Sequence, residues 1–221
     1  MRQLIIDKRL RLIINEIEGD TLIDCGCDHG KVAIQSMIEN RVNKVIATDI
    51  SQKSLDKCVA LSKKMNIKNI EFRCGDGLDV INDNEADVLC IAGMGGREIV
   101  KILSNIKAGI NKVILCPHQD IELLRQSIKD NWKITKDVAI FVDDHFYNLI
   151  CAYPGVSKLG EKEILLGMDS KDNEDYVLLL KFLKGKYEKI LSNTLPDNRC
   201  KECENYLKII EGELSGSKKD I

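Results

Sequence analysis

Short apolar segments alternate with amphipathic helical segments from residue 21 through residue 153, and this alternation constrains the fold more than any other feature. Strands are predicted at 21–26, 44–49, 69–78 with its turn, 87–93 and 112–117, and helical patterns separate most of them. Strands that alternate with helices form a parallel sheet covered on both faces. Two late segments, 132–144 and 145–155, predict an antiparallel pair. We therefore predict a doubly wound α/β sheet that is mostly parallel and has an antiparallel last strand.

The pattern changes after Gly155. Residues 161–214 show only helical periodicity, which Pro196 interrupts, so we predict two long helices folded back as an antiparallel hairpin. The sequence accordingly predicts two domains, an α/β domain over 1–155 and a coiled-coil-like helical hairpin over 156–221.

Composition restricts the classes of protein that this chain can belong to. The net charge of −2 gives no global basic field for a nucleic acid, although a local basic face is compatible with it. No run of 18 apolar residues and no signal peptide is present, which predicts a cytoplasmic protein that does not contact a membrane. Nine scattered cysteines, several within apolar runs, indicate buried thiols. Cys200 and Cys203 have a metal-like spacing without a second pair, and we predict no metal.

Polar residues cluster where the predicted parallel strands end, and ligands of such sheets bind at that edge. The clusters are 24–29, Asp49, 74–77, 93–96 and 116–119. The first loop lacks the close glycine pair of a dinucleotide-binding fingerprint. Its aspartates would repel a pyrophosphate but attract a sulfonium or an amino group. These features favour S-adenosylmethionine over a dinucleotide.

Three aspartates at successive strand ends suit the parts of S-adenosylmethionine. Asp49 can accept hydrogen bonds from both ribose hydroxyls, Asp76 can accept one from the adenine amino group, and Asp24 with Gly26 can enclose the methionine part. Taken singly, each aspartate is more often a turn residue or a helix cap. The three together favour the cofactor.

The segment AGMGG at 92–96 differs from the Asn/Asp-Pro-Pro-aromatic segment of methyltransferases that act on exocyclic amino groups. Its glycines allow close backbone approach and leave room for a flat ring. Alternatively, Gly95 and Gly96 only turn the chain into the next helix.

Four motifs together resemble the bacterial tRNA (adenine-22-N1) methyltransferase family. They are LIDCGCDHGKVAI (22–34), RCGDGL (73–78), IAGMGG (91–96) and FYNLICAY (146–153). The resemblance covers nearly the whole chain and implies a Rossmann-type S-adenosylmethionine domain followed by a helical hairpin. It also implies methyl transfer to N1 of an adenine in tRNA, at position 22 in the D-arm region.

The resemblance and the strand-end pattern together predict a set of site residues. For the cofactor they are Asp24, Gly26, Asp49, Ile50, Asp76, Gly77, Gly93 and Met94; for the RNA, Arg9, Gly95, Gly96, Pro117 and Tyr147; for catalysis, Asp28 and His29. Lys31 and Cys116 stand where the family has tyrosine and glutamine, and these departures concern the substrate more than the cofactor.

Methylation at N1 needs no base, because that nitrogen carries a lone pair and no proton. We predict that Asp28 accepts a hydrogen bond from the N6 amino group and stabilises the positive charge that grows on the adenine ring. The alternative is that Asp28 caps the helix that starts near Lys31. His29 is predicted to orient the base or bind phosphate, or else to be a structural histidine, whereas Cys25 and Cys27 are predicted to pack without reacting.

Basic residues near the amino terminus are predicted to bind the tRNA, together with lysines of the hairpin. The residues near the amino terminus are Arg2, Lys8, Arg9 and Arg11. The hairpin could instead pair with a second copy, so both a monomer and a homodimer are compatible with the sequence. Two other functions stay open: a methyltransferase of the same fold acting on another RNA, a protein or a small molecule, and a non-catalytic RNA-binding relative.

Overall fold

A seven-stranded sheet forms the centre of the protein, in the order β3-β2-β1-β4-β5-β7-β6. The structure is a computed structural model that describes residues 4–193 and 196–216. The strands are β1 (Thr21–Cys25), β2 (Lys44–Asp49), β3 (Ile70–Cys74), β4 (Val88–Ala92), β5 (Lys112–Cys116), β6 (Trp132–Val142) and β7 (His145–Pro154). The first five are parallel, β7 is antiparallel to β5, and β6 is antiparallel to β7. The predicted Rossmann-like sheet is therefore confirmed.

Helices cover both faces of this sheet. They are α1 (Lys8–Glu16), α2 (Lys31–Ile38), α3 (Gln52–Met65), α4 (Gly96–Leu103) and α5 (Ile121–Ile128). Successive side chains of a strand point to opposite faces, so Leu22 of β1 joins the apolar layer under α1, α2 and α3, and Ile23 joins the layer under α4 and α5. No helix among residues 4–193 and 196–216 is both long and apolar enough to span a membrane.

The carboxyl-terminal part contains three helices, α6 (Glu161–Leu166), α7 (Glu174–Leu191) and α8 (Asp197–Ser215). The predicted hairpin corresponds to α7 and α8, which run antiparallel: Lys184 pairs with Glu211 at 2.8 Å, and the Tyr187 and Tyr206 rings lie 5.4 Å apart. The expectation of only two helices from residue 161 onward was wrong. Gly167 adopts a left-handed φ of +84° and ends the first helical segment there.

The loop between α6 and α7, together with the first turn of α7, covers the open edge of β6. Asp169 accepts a hydrogen bond from the Ala139 backbone N–H at 2.6 Å, and the Asn173 amide donates to the Ala139 carbonyl at 2.9 Å. The Asp175 carboxylate accepts from the Phe141 N–H at 2.9 Å. These side chains take the place of a neighbouring strand, which protects the edge from pairing with another chain.

Candidate functional site

A cleft of 510 Å³ lies at the carboxyl ends of the parallel strands. The loops after β1, β2, β3 and β4 form it, and we call it the strand-end cleft. Its volume falls in the range of about 300–1,000 Å³ that is usual for small-molecule sites. It is lined by every residue predicted to bind the cofactor or to act in catalysis, and by Arg9.

Asp49, the last residue of β2, has a carboxylate held by the backbone. One oxygen accepts from the Asp28 N–H at 3.0 Å and the other from the Ser51 N–H at 2.8 Å. Ser51 itself caps α3, as its position in the sequence indicated, by accepting from the Ser54 N–H. Each Asp49 oxygen keeps a second lone pair, so this rigid carboxylate can accept two more donors, such as the hydroxyls of a diol.

Asp24 is buried in β1, with 4% of its surface exposed. Burial raises the pKa of Asp24 to about 7, and the negative charge of Asp49 raises it further, while a hydrogen bond from the Ala33 N–H at 3.1 Å opposes the shift. The carboxyl group therefore titrates near neutral pH. A cationic group placed beside it would favour its ionised form.

Two further groups of the strand-end cleft come from the loops after β3 and β4. The exposed Asp76 carboxylate lies 3.2 Å from the Lys101 ammonium of α4. Gly77 and Gly93 have left-handed φ angles of +53° and +81°, which favour glycine. A Cβ atom on Gly93 would meet nothing within 4 Å, so this backbone faces open space. The cleft thus has room for a flat group beside bare backbone.

Asp28 and His29 lie in the loop between β1 and α2. The Asp28 carboxylate is largely exposed, and its oxygens lie 3.5 Å from His29 Nε2 and 3.9 Å from Lys57 Nζ. The residue that caps α2 is Gly30, and no side-chain bond caps that helix. The suggestion that Asp28 is the helix cap was therefore wrong, and its carboxylate is available to a ligand of the cleft.

The predicted RNA residues fall into two groups. The Arg9 guanidinium lies over the Tyr147 ring, 4.8 Å from its centroid, so these two are brought together beside the cleft. Gly95, Gly96 and Pro117 do not line it. Gly95 precedes α4 and the Gly96 N–H donates to the Gln119 carbonyl at 2.9 Å, which matches the alternative that these glycines turn the chain into a helix.

The other basic residues near the amino terminus have partners within the fold. Lys8 pairs with Asp175 at 2.5 Å, and Arg11 pairs with Glu39. Arg2 lies outside the described residues. Of this group, Arg9 is the one whose side chain lines the strand-end cleft in the part of the chain that the structure describes.

Several residues of the strand-end cleft did not emerge from the sequence as site residues. Lys31, Glu98 and Ile102 line it, as do Asp7 and Thr48. Glu98 and Ile102 are four residues apart on α4 and so share a face of that helix, a spacing that could have identified them. Lys31 has no ion-pair partner within residues 4–193 and 196–216, and as the first residue of α2 it brings a second basic side chain, beside Arg9, into a cleft lined by several carboxylates.

The cysteines and the metal-like spacing show no reactive arrangement. Burial raises the pKa of the Cys25 thiol to about 12, so it is protonated at neutral pH. Cys203 is buried in the hairpin and the Cys200 thiol contacts Glu204. Within the described ranges, no group of three His, Cys, Asp or Glu side chains converges as a metal site would require.

Comparison with known sequences agrees with this geometry. The family described as "Methyltransferase domain" matches residues 6–150. The tRNA (adenine(22)-N(1))-methyltransferase of Bacillus subtilis is 29% identical over 161 residues, which make up 70% of this chain and 68% of that protein. The family match over residues 6–150 includes all four strand-end loops that form the cleft.

Solved structures extend the likeness to nearly the whole chain. M. capricolum TrmK, determined in complex with S-adenosyl-homocysteine, superimposes with a TM-score of 0.86 at 26% identity, covering 95% of this chain and 98% of that one. The Bacillus subtilis m1A22 tRNA methyltransferase TrmK superimposes with a TM-score of 0.80 at 23% identity, covering 96% and 100%. Similarity over these lengths includes the carboxyl-terminal helices.

Proposed function

This chain belongs to the methyltransferase-domain family, and from that premise we propose that it transfers a methyl group from S-adenosylmethionine to N1 of an adenine in tRNA, at position 22. The observation that carries the proposal is the strand-end cleft, which assembles acceptors for a diol, an amino group and a cation in one cavity. Relatives that resemble the chain over most of its length bear the name of this activity.

The side chains of the strand-end cleft fit each part of this cofactor. Asp49 holds the ribose hydroxyls, Asp76 accepts from the adenine amino group, and Asp24 pairs with the methionine ammonium. Lys31 supplies the positive charge for the methionine carboxylate. Ile50, Gly26, Gly77, Gly93 and Met94 form the surrounding walls. Bound in this way, S-adenosylmethionine supplies an electrophilic methyl group on a sulfonium.

Asp28 acts on the ring that receives the methyl group. The N1 lone pair attacks directly, so no residue has to remove a proton from the attacking atom. The ring becomes cationic as the bond forms. The ionised Asp28 carboxylate accepts a hydrogen bond from the N6 amino group and stabilises that positive charge. Correct alignment of the base supplies much of the remaining acceleration. His29, whose ring lies beside Asp28, orients the base.

Arg9 stacked on Tyr147 contacts the RNA beside the target base, and basic side chains of the hairpin contact its backbone. Gly95, Gly96 and Pro117 shape the wall behind that base. With tRNA as its substrate the protein acts in the cytoplasm. It works as a monomer or as a homodimer formed through the hairpin.

Incubation of the protein with unmodified tRNA transcripts and S-adenosylmethionine tests the proposal. We expect 1-methyladenosine in the nucleoside digest, detected by mass spectrometry, and a reverse-transcription stop at position 22. A transcript with guanosine at that position is the matched control and should stay unmethylated. Methylation of a protein or a small molecule but not of tRNA would contradict the proposal, as would the absence of any bound S-adenosylmethionine in calorimetry.

A further inference from the structure

A second cavity of 890 Å³ lies between the α/β domain and α7. The loop after β5, the turn between β6 and β7, and one face of α7 enclose it. Its apolar wall contains three phenylalanines, Phe141, Phe146 and Phe182, and we call it the phenylalanine groove. None of the predicted site residues lines this groove.

The three aromatic rings form a continuous ladder. The centroids of Phe141 and Phe146 are 4.7 Å apart, and those of Phe146 and Phe182 are 5.2 Å apart. Phe182, the outermost ring, keeps 55% of its surface exposed, and Leu178 one turn earlier keeps 43%. A large aromatic face that is held by its neighbours and left open to solvent is a platform for another flat ring.

The phenylalanine groove shares a wall with the strand-end cleft. The His118 N–H donates to the Met94 carbonyl at 3.2 Å, and the Gly96 N–H donates to the Gln119 carbonyl at 2.9 Å. Met94 lines the cleft, while His118 and Gln119 line the groove. A strand whose target base entered the cleft would therefore cross this wall with its adjacent nucleotides.

The charges around the phenylalanine groove suit one nucleotide better than a run of phosphates. Arg97 pairs with Asp120 at 3.4 Å, and partial burial raises the pKa of the Glu122 carboxyl group above its ordinary value. Lys186 lies one turn beyond Phe182 on α7 and is exposed. His118, His145 and Asp144 complete the polar rim. An aromatic platform with one nearby cation matches a stacked base and its own phosphate.

We propose that the phenylalanine groove binds an unpaired nucleotide of the tRNA next to the methylated adenosine, with its base stacked on Phe182. The proposal deepens the function proposed above, since it assumes tRNA as the substrate. It assigns to the junction of α7 with the α/β domain a role in holding the flipped-out strand, while the strand-end cleft holds the target base.

Replacement of Phe182 tests this role. Phe182→Ala should lower kcat/KM for unmodified tRNA by about 5- to 150-fold, which corresponds to the loss of one stacked base, mainly through KM. Phe182→Trp should keep most of the activity because it keeps an aromatic face. Val156→Ala is the control, since Val156 is also apolar and 63% exposed but does not line the groove. S-adenosylmethionine affinity should not change in any variant.

Direct binding separates this proposal from the proposed function. The chain has one tryptophan, Trp132, which is 7% exposed, so Phe182→Trp introduces a solvent-accessible fluorophore into the groove. Unmodified tRNA should quench its emission whether or not methyl transfer occurs. Absence of quenching, or an unchanged KM for tRNA in Phe182→Ala, would overturn the proposal. So would a dimer in sedimentation that Phe182→Ala dissociates, because a second copy would then cover the groove.

Discussion

At the residue scale, Asp28 provides the sharpest test of the chemistry. Asp28→Asn keeps the size and one acceptor oxygen but removes the charge, and asparagine tolerates the left-handed φ of +43° found there. An interaction that strengthens in the transition state affects the turnover number. We expect turnover on saturating tRNA to fall by on the order of a hundredfold.

Single-turnover kinetics would measure this effect, with a thermal melt beside it. Because Gly30, not Asp28, precedes α2 as its cap, the melting temperature should stay close to that of the wild type. A fully active Asp28→Asn enzyme would refute the catalytic role. Loss of activity together with loss of stability would indicate that the loop had been disturbed instead.

Asp24 should make cofactor binding depend on pH. With a pKa raised to about 7, it is mostly neutral at pH 5.5 and cannot pair with an ammonium group. We expect affinity for S-adenosylmethionine to rise about tenfold between pH 5.5 and pH 7, measured by calorimetry. Asp24→Asn should bind weakly, with little dependence on pH over this range. An equally steep dependence in that variant would assign the titration to another group.

The raised pKa of Asp24 also has a consequence for stability. A carboxyl group whose folded pKa lies above its unfolded value of about 4 stabilises the fold fully below pH 4, and this contribution is lost as pH rises through 7. Above pH 7 the ionised group costs the cofactor-free protein on the order of a few kcal/mol. In melts without cofactor, Asp24→Asn should therefore gain stability relative to the wild type as pH rises from 4 to 8.

At the scale of elements, a buried ion pair fastens α6 to the α/β domain. Arg125 of α5 donates to both oxygens of Asp137 in β6, at 2.6 and 2.9 Å, and to the carbonyls of Ile164 and Leu165 at 3.1 Å. Arg125 and Asp137 are each 2% exposed. A deletion of residues 156–221 would remove these carbonyls and uncover the β6 edge, so a loss of activity would not show that the hairpin binds RNA.

Breaking this pair should cost more than removing both charges. Arg125→Met leaves Asp137 buried and unpaired, and we expect a loss of about 3–5 kcal/mol in unfolding free energy. The double variant Arg125→Met/Asp137→Asn should be more stable than Arg125→Met, because asparagine removes the buried charge and keeps an acceptor for Asn148. Urea unfolding measures both. If the loss of unfolding free energy in the double variant equalled the sum of the losses from the two single substitutions, the two residues would contribute independently.

The elements differ in how far the sequence could predict them. The five parallel strands and their polar ends could be predicted because each strand is a short apolar run that stops at a polar cluster. Residues of the clusters after β1 to β4 line the strand-end cleft, whereas His118 and Gln119 after β5 line the phenylalanine groove. The phenylalanine groove could not be predicted from the sequence. Its rings come from β6, β7 and α7, and only tertiary packing brings Phe141, Phe146 and Phe182 together. Periodicity predicts which apolar residues share one face of a helix or strand, but it does not predict which of them stay exposed in the folded protein.

At the scale of the whole molecule, the charge distribution bears on how tRNA is held. Residues 156–221 carry 12 basic and 13 acidic side chains, so the hairpin has no overall basic field. Attraction to the phosphate backbone must then come from local groups. Exposed basic residues near the junction of α7 and α8 are Lys189, Arg199 and Lys201. Lys189 lies on the same face of α7 as Phe182 and Lys186, between the phenylalanine groove and that junction.

Neutralising these three residues should weaken tRNA binding and its dependence on salt. Each lost phosphate contact reduces the slope of log affinity against log salt by about one. The triple variant Lys189→Gln/Arg199→Gln/Lys201→Gln should therefore lose up to about three units of slope, and its kcat/KM at low salt should fall on the order of tenfold or more. Lys63, Lys64 and Lys68 form a matched control, because they are also exposed but lie in the last turn of α3 and just before β3, at the amino edge of the sheet. If neutralising the control residues reduced the slope as much, the tRNA would contact the opposite edge of the sheet, and the hairpin would not be its main electrostatic contact.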